Sequence, residues 1–151
     1  MDIKKLSKQF IELYGQTENP AAAYFSPGRV NLIGEHTDYN GGFVFPCALS
    51  YGTYLLARKN NSQTIRLATT NFDFKFQIDI QDINSKIGGE WVNYPLGVFS
   101  ELIKRDHTLE GLDLLYSGNI PNQSGLSSSA SIELVTGVAL NDLFQLQIDQ
   151  I

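Results

Sequence analysis

Between Phe72 and Ile80 the chain alternates without a break. Phe72, Phe74, Phe76, Ile78 and Ile80 are apolar, and Asp73, Lys75, Gln77 and Asp79 between them are polar. Side chains of a strand point to opposite faces in turn, so this period of two demands a sheet with one buried and one wet face. Such a sheet needs a second layer to cover it. Helical spacing elsewhere supplies the cover. Ile3, Leu6, Phe10, Leu13 and Tyr14 fall on one face of a helix with a lysine-rich outer side, and Gly15 stands where its cap would sit. Leu96, Phe99, Leu102 and Ile103 predict a second helix, with Pro95 in its first turn, where a missing N–H is tolerated. A third begins near Ser127 and carries Ile132, Val135, Val138, Ala139 and Leu143.

Further strands are expected over residues 22–26, stopped by Pro27-Gly28 and resumed at Val30 and Leu32, then over 53–58 and 64–69, with a turn at Asn60-Asn61-Ser62. Leu112, Leu114 and Tyr116 predict another, ending at Gly118, with Asp113 facing solvent by alternation. Glu133 reads as a helix-surface charge and Cys47 as a small core residue. The order helix, strands, helix, strand, helix implies an α/β layer fold, a mixed sheet with packed helices and no strict βαβ alternation. At 151 residues and 42% hydrophobic content, one domain can bury a real core. There is no internal repeat, linker or low-complexity tract.

Charge and cysteine usage exclude several classes. The net charge is -5 and no basic run exceeds Lys4-Lys5, which argues against nucleic acid or an anionic membrane as partner. A single cysteine excludes an intramolecular disulfide. No apolar block follows the N-terminal lysines and no run reaches the length of a membrane span, so a cytoplasmic protein is expected. The triplets at Asn60 and Asn122 match a glycosylation acceptor but carry no weight without a secretory signal.

Chemistry concentrates in residues 28–40, Gly-Arg-Val-Asn-Leu-Ile-Gly-Glu-His-Thr-Asp-Tyr-Asn. Arg29, Glu35, His36, Asp38 and Tyr39 offer a cation, two carboxylates, an imidazole and a phenol. Carboxylates accept from neighbouring hydroxyls and a forked guanidinium suits phosphate oxygens, so the set fits a small polyhydroxylated ligand. A transition-metal cluster would need further His or Cys, and only His36, His107 and Cys47 exist. Any one of these residues alone would be an ordinary loop residue.

A second loop, residues 119–130, reads Asn-Ile-Pro-Asn-Gln-Ser-Gly-Leu-Ser-Ser-Ser-Ala between a strand and a helix. Unpaired N–H groups and the dipole at a helix N-terminus make an anion site without a cationic side chain. Ser127, Ser128 and Ser129 add hydroxyls that can cap the helix, bind phosphate or ligate a hard cation such as Mg2+. Ordinary capping explains one serine of the three. No Walker loop, Gly-x-Gly-x-x-Gly fingerprint or protein-kinase set is present.

Residues 28–40 resemble the galactokinase signature residue for residue. Pro121, Gly125, Leu126, Ser127, Ser128, Ser129 and Ala130 resemble the second motif of the small-molecule kinases that include galactokinase, homoserine kinase and mevalonate kinase. Residues 43–48 and Glu90-Trp91-Val92-Asn93-Tyr94 also look like galactokinase segments, so the resemblance covers nearly the whole chain but only the N-terminal portion of that family. Gln123 stands where the motif has its first glycine; if that position needs φ > 0, Gln costs roughly 1 kcal/mol or more.

The resemblance implies transfer of the γ-phosphoryl of ATP, with Mg2+, to the anomeric hydroxyl of galactose by a complete, monomeric enzyme. Arg29 would stabilise the transferring phosphoryl, and Glu35, His36, Thr37 and Asp38 would bind the sugar. Gln123, Ser124, Gly125, Leu126, Ser127, Ser128 and Ser129 would cradle ATP, with Ser129 on Mg2+ and Thr69 lining the nucleotide pocket. Trp91 is either near the adenine or a core aromatic. The family's catalytic base and metal carboxylate match nothing in these 151 residues, so the chain alone is expected to be inactive. The alternatives are a kinase for N-acetylgalactosamine or another sugar, and a galactose sensor of the same fold without turnover.

Overall fold

Asp2 starts the first helix: its carboxylate accepts from the N–H groups of Lys4 and Lys5, satisfying donors that no helical carbonyl reaches. The structure, a computed structural model, describes residues 2–83, 91–121 and 126–149, and the backbone alone at Asp38. Helix α1 spans Ile3–Tyr14 and ends on Gly15 at φ 76°, a conformation open to glycine. Four strands follow: β1 Ala22–Ile33, β2 Phe45–Lys59, β3 Thr64–Thr69 and β4 Phe74–Asp79. Helix α2 covers Asn93–Lys104, β5 covers Leu112–Gly118, and α3 covers Ser128–Phe144.

The strands form one mixed sheet in the order β1-β2-β5-β3-β4. All pairs are antiparallel except β3 with β5. The two faces are covered differently. Leu55, Ala57, Ile65, Leu67, Leu112 and Leu114 pack with residues of α2 and α3 in the larger core. On the other face Leu56, Ala68 and Leu115 pack against Leu6 and Phe10 of α1. The phenylalanine stripe behaves as its period demands: Phe74, Phe76, Ile78 and Ile80 lean on the larger core. Phe72 precedes β4 and is exposed.

Three expectations are corrected. Residues 22–33 are one strand, not two, because Pro27-Gly28 interrupts the register without ending the pairing. Cys47 is exposed, since β2 begins at Phe45 and its first residues lie beyond either core. Asp113 is fully buried: β5 is central and α1 covers its second face, so alternation does not expose it. Arg58 and Arg66 on the flanking strands pair with Asp113 at 2.7 and 2.6 Å, and Asn60 Nδ2 donates to it at 3.0 Å. Glu133 is exposed as expected. Among the described residues, no helix is long and apolar enough to cross a membrane.

Tyr14 donates to the Leu114 carbonyl at 2.9 Å, and the Tyr116 hydroxyl lies 2.8 Å from Thr136 Oγ1. Burial holds both phenols protonated well above the usual tyrosine range, and at Tyr14 the Asp113 charge adds to it. A folded-state value raised above the unfolded one gives stability that is complete below about pH 10 and lost as pH rises further. An alkaline titration followed by tyrosinate absorbance should therefore show Tyr14 and Tyr116 ionising late, together with unfolding. Seven tyrosines titrating as one group in the folded chain would contradict this.

Candidate functional site

Gly28 is where the two sequence motifs meet. A Cβ built there would lie 2.8 Å from the Leu126 carbonyl oxygen and 3.1 Å from Ile120 Cδ1, so only glycine lets the loop before α3 approach β1. The next residue closes the contact: the Arg29 N–H donates to the Leu126 carbonyl at 3.2 Å. The β1–β2 register slips at this point, from Pro27 opposite Gly52 to Arg29 opposite Ala48, so two steps along β1 match four along β2. Irregular pairing of this kind re-aims side chains, and Arg29 is left exposed.

The loop after β1 is braced from within. Gly34, at φ 106°, packs so tightly that a Cβ would stand 2.6 Å from the Phe43 carbonyl oxygen. Thr37 is the brace: its hydroxyl lies 2.8 Å from the Gly34 carbonyl and 3.2 Å from that of Phe43, and its carbonyl accepts from Asn40 and Gly42. The hydroxyl proton is therefore committed to the loop, while its oxygen still has a lone pair to offer. His36 sits at φ 65° with Nδ1 2.8 Å from the Tyr39 hydroxyl, and its carbonyl accepts from Asn40 Nδ2 at 2.7 Å. Glu35 is exposed and forms no ion pair among the described residues. The backbone of Asp38 opens a short 3-10 turn, Asp38–Asn40. The hairpin thus displays Glu35 and His36 beside a fixed backbone.

At the second motif, Ser127 lies in the left-handed region at φ 59° and makes no capping hydrogen bond through its side chain. Capping thus does not account for its hydroxyl. Ser128 begins α3, Ser129 follows half-buried, and the first helical bond runs from Ser131 N–H to the Ser127 carbonyl. The N–H groups just ahead of Ser131 have no helical acceptor, which leaves the dipole-bearing end of a 17-residue helix open to an anion. Left-handed residues cost ~1–2 kcal/mol each, and His36 and Ser127 place two of them within the motifs. Gln123, Ser124 and Gly125 lie outside the described residues, as does the side chain of Asp38.

Thr69 and Trp91 share a cavity of about 200 Å³ with Asn71, Phe72, Gly118 and Ile120. Trp91 stacks edge-on against Tyr116 at 5.3 Å and Phe74 at 5.8 Å, and its buried Nε1 donor has no acceptor among the described residues. It is thus a core aromatic and a cavity wall at once. Asn119 ties the β5–α3 connection to β2, its Oδ1 accepting from the Gly52 N–H at 2.8 Å and its N–H donating to the Gly52 carbonyl.

The model for the "Galactokinase galactose-binding signature" matches residues 8–59, and that for the "GHMP kinases N terminal domain" matches residues 93–151. A galactokinase of Clostridium tetani is 51% identical across 95% of the chain, and one of Fusobacterium nucleatum 47% identical across 97%. The chain belongs to the galactokinase family. It corresponds to the N-terminal part, spanning 36% and 38% of the length of those two relatives. A crystal structure of Lactococcus lactis galactokinase complexed with galactose superposes with a TM-score of 0.92 at 43% identity, covering 97% of this chain and 38% of that one. Methanococcus jannaschii mevalonate kinase shares the fold, at TM-score 0.74 and 20% identity. Galactokinase relatives thus favour neither an N-acetylgalactosamine kinase nor a sensor.

Sequence reasoning missed Ser131 and the role of Asn119. Ser131 is 1% exposed. The available signal was a hydroxyl in line with Val135 and Ala139 on the buried face of an apolar helix.

Proposed function

We propose that this chain is the N-terminal part of a cytoplasmic enzyme that transfers the γ-phosphoryl of ATP to the anomeric hydroxyl of galactose. The observation that supports it most is the contact of Arg29 with Leu126, which joins the root of the sugar-side hairpin to the open end of α3. Phosphoryl transfer asks little covalent chemistry of a protein; it asks for positioning and for charge where charge develops. The α3 N-terminus, with Leu126 to Ser129 and the loop residues Gln123, Ser124 and Gly125, holds the phosphates. Arg29 supplies a planar cation to the transferring group. Glu35, His36, Thr37 and Asp38 supply acceptors and donors to sugar hydroxyls. Thr69 and Trp91 line the nucleotide side.

Mg2+, when bound, would offset the negative charge of the phosphates. Among the described residues no group of three or more His, Cys, Asp or Glu stands ready for a metal. The Ser129 hydroxyl is a hard oxygen of the kind that could help hold Mg2+. We assign the proton acceptor and the metal carboxylate to the remainder of the enzyme.

The test is ADP formation by the complete enzyme with galactose, glucose and N-acetylgalactosamine compared. Galactose and glucose differ at C4 alone, and a buried acceptor without its hydroxyl costs ~1–3 kcal/mol. Galactose should therefore lead glucose by on the order of 10² in kcat/KM. Equal use of the two would overturn the assignment. Preference for the N-acetylated sugar would move it to that substrate, and galactose binding without turnover would make it a sensor.

A further inference from the structure

Ser131 lies in the first turn of α3, 1% exposed, with every bonding direction of its hydroxyl directed at the sheet. Its Oγ lies 2.8 Å from the Ser26 carbonyl, accepts from the Thr53 N–H at 3.1 Å and lies 3.0 Å from Thr53 Oγ1. Ser26 and Thr53 are cross-strand partners in β1 and β2. One hydroxyl thus clamps the start of α3 across both strands. Three residues further along β1, the Arg29 N–H to Leu126 carbonyl bond makes a second clamp between the same strand and the same loop-helix junction. Between them Gly28 permits contact with Leu126 at a distance no side chain would allow. The two clamps fix both position and angle of the helix end relative to the Arg29 backbone; one alone would leave a hinge.

We propose that Ser131 is a positioning residue, holding the phosphate-binding end of α3 in register with Arg29. This rests on the role given to Arg29 above and extends it to a residue that touches no substrate. Helix caps and anion sites need no buried hydroxyl on the far side of the first turn, and Ser131 contributes nothing to either. Small misplacements of a reacting group cost up to about 100-fold in rate. In the complete enzyme Ser131→Ala should therefore lower kcat by about 10- to 100-fold, with KM for galactose nearly unchanged, because the sugar hairpin keeps its own brace.

A double-mutant cycle with Arg29→Ala separates positioning from general weakening. If Ser131 acts by aligning Arg29 with the phosphates, its loss should cost less than about 2-fold once Arg29 is gone. An equal loss in both backgrounds, or no loss in either, would overturn the proposal. Ser131→Cys keeps the shape with a weaker hydrogen-bonding group and should give an intermediate kcat; wild-type turnover by this variant would also overturn it. Unchanged kcat in Arg29→Ala alone would remove the role of Arg29, and with it that of Ser131, and shows without any change at position 131.

Discussion

Replacing Arg29 by alanine in the complete enzyme is expected to lower kcat by ~10³-fold or more while KM for the sugar changes little. The guanidinium is exposed at the register slip of β1, on a backbone whose N–H is tied to Leu126. A cation held there meets charge that grows as the phosphoryl moves, so its interaction is stronger in the transition state than in the ground state. Among the described residues the side chain forms no ion pair. Thermal unfolding of the variant should thus match wild type, separating catalysis from stability. Arg29→Lys should recover only part of the loss, since a point charge lacks the planar fork. A variant whose KM rises while kcat stays constant would show that Arg29 binds the ground state.

What could be read from the sequence depended on whether a pattern repeats locally. The stripe from Phe74 to Ile80 and the face of α1 repeat at their own periods, so both elements and their buried sides were legible. Apolar content alone does not say what will be covered. Phe43, Phe45 and Cys47 look like core in one dimension, yet Phe43 is 98% exposed because the hairpin reaches past the helices. Asp113 fails in the opposite direction, since period two cannot report that β5 is central and covered twice. The chemistry of residues 28–40 was visible because unlike groups crowd a short loop. The junction with Leu126 was not, because it depends on β1 meeting a loop that is far away in the chain.

The largest expected effect on stability lies at Asp113, not in either motif. Its carboxylate is fully buried between Arg58, whose side chain is 4% exposed, and Arg66, at 39%. The three residues are neighbours across β2, β5 and β3, on the face covered by α1. Arg58 is spent on the carbonyls of Tyr14 and Gly15 as well, lies over the Phe10 ring, and has a buried Nε without an acceptor among the described residues. Asp113→Ala would leave that cation buried with no counter-charge, which costs ~3–5 kcal/mol. Domains of this kind hold about 5–15 kcal/mol in total, so a large share of the stability would go. Arg66 can turn to water and should contribute little of the loss. Asp113→Asn should rescue poorly, because its amide nitrogen is itself a donor and would face groups, Arg58, Arg66 and Asn60, that all donate to the carboxylate. The pair Arg58→Met with Asp113→Leu should restore most of the stability by removing both charges together. Denaturant unfolding measures each. A loss under about 1 kcal/mol in Asp113→Ala would mean that Arg58 reaches solvent by moving α1. Since this cluster lies across the sheet from α3, the folded fraction of each variant should keep the wild-type kcat.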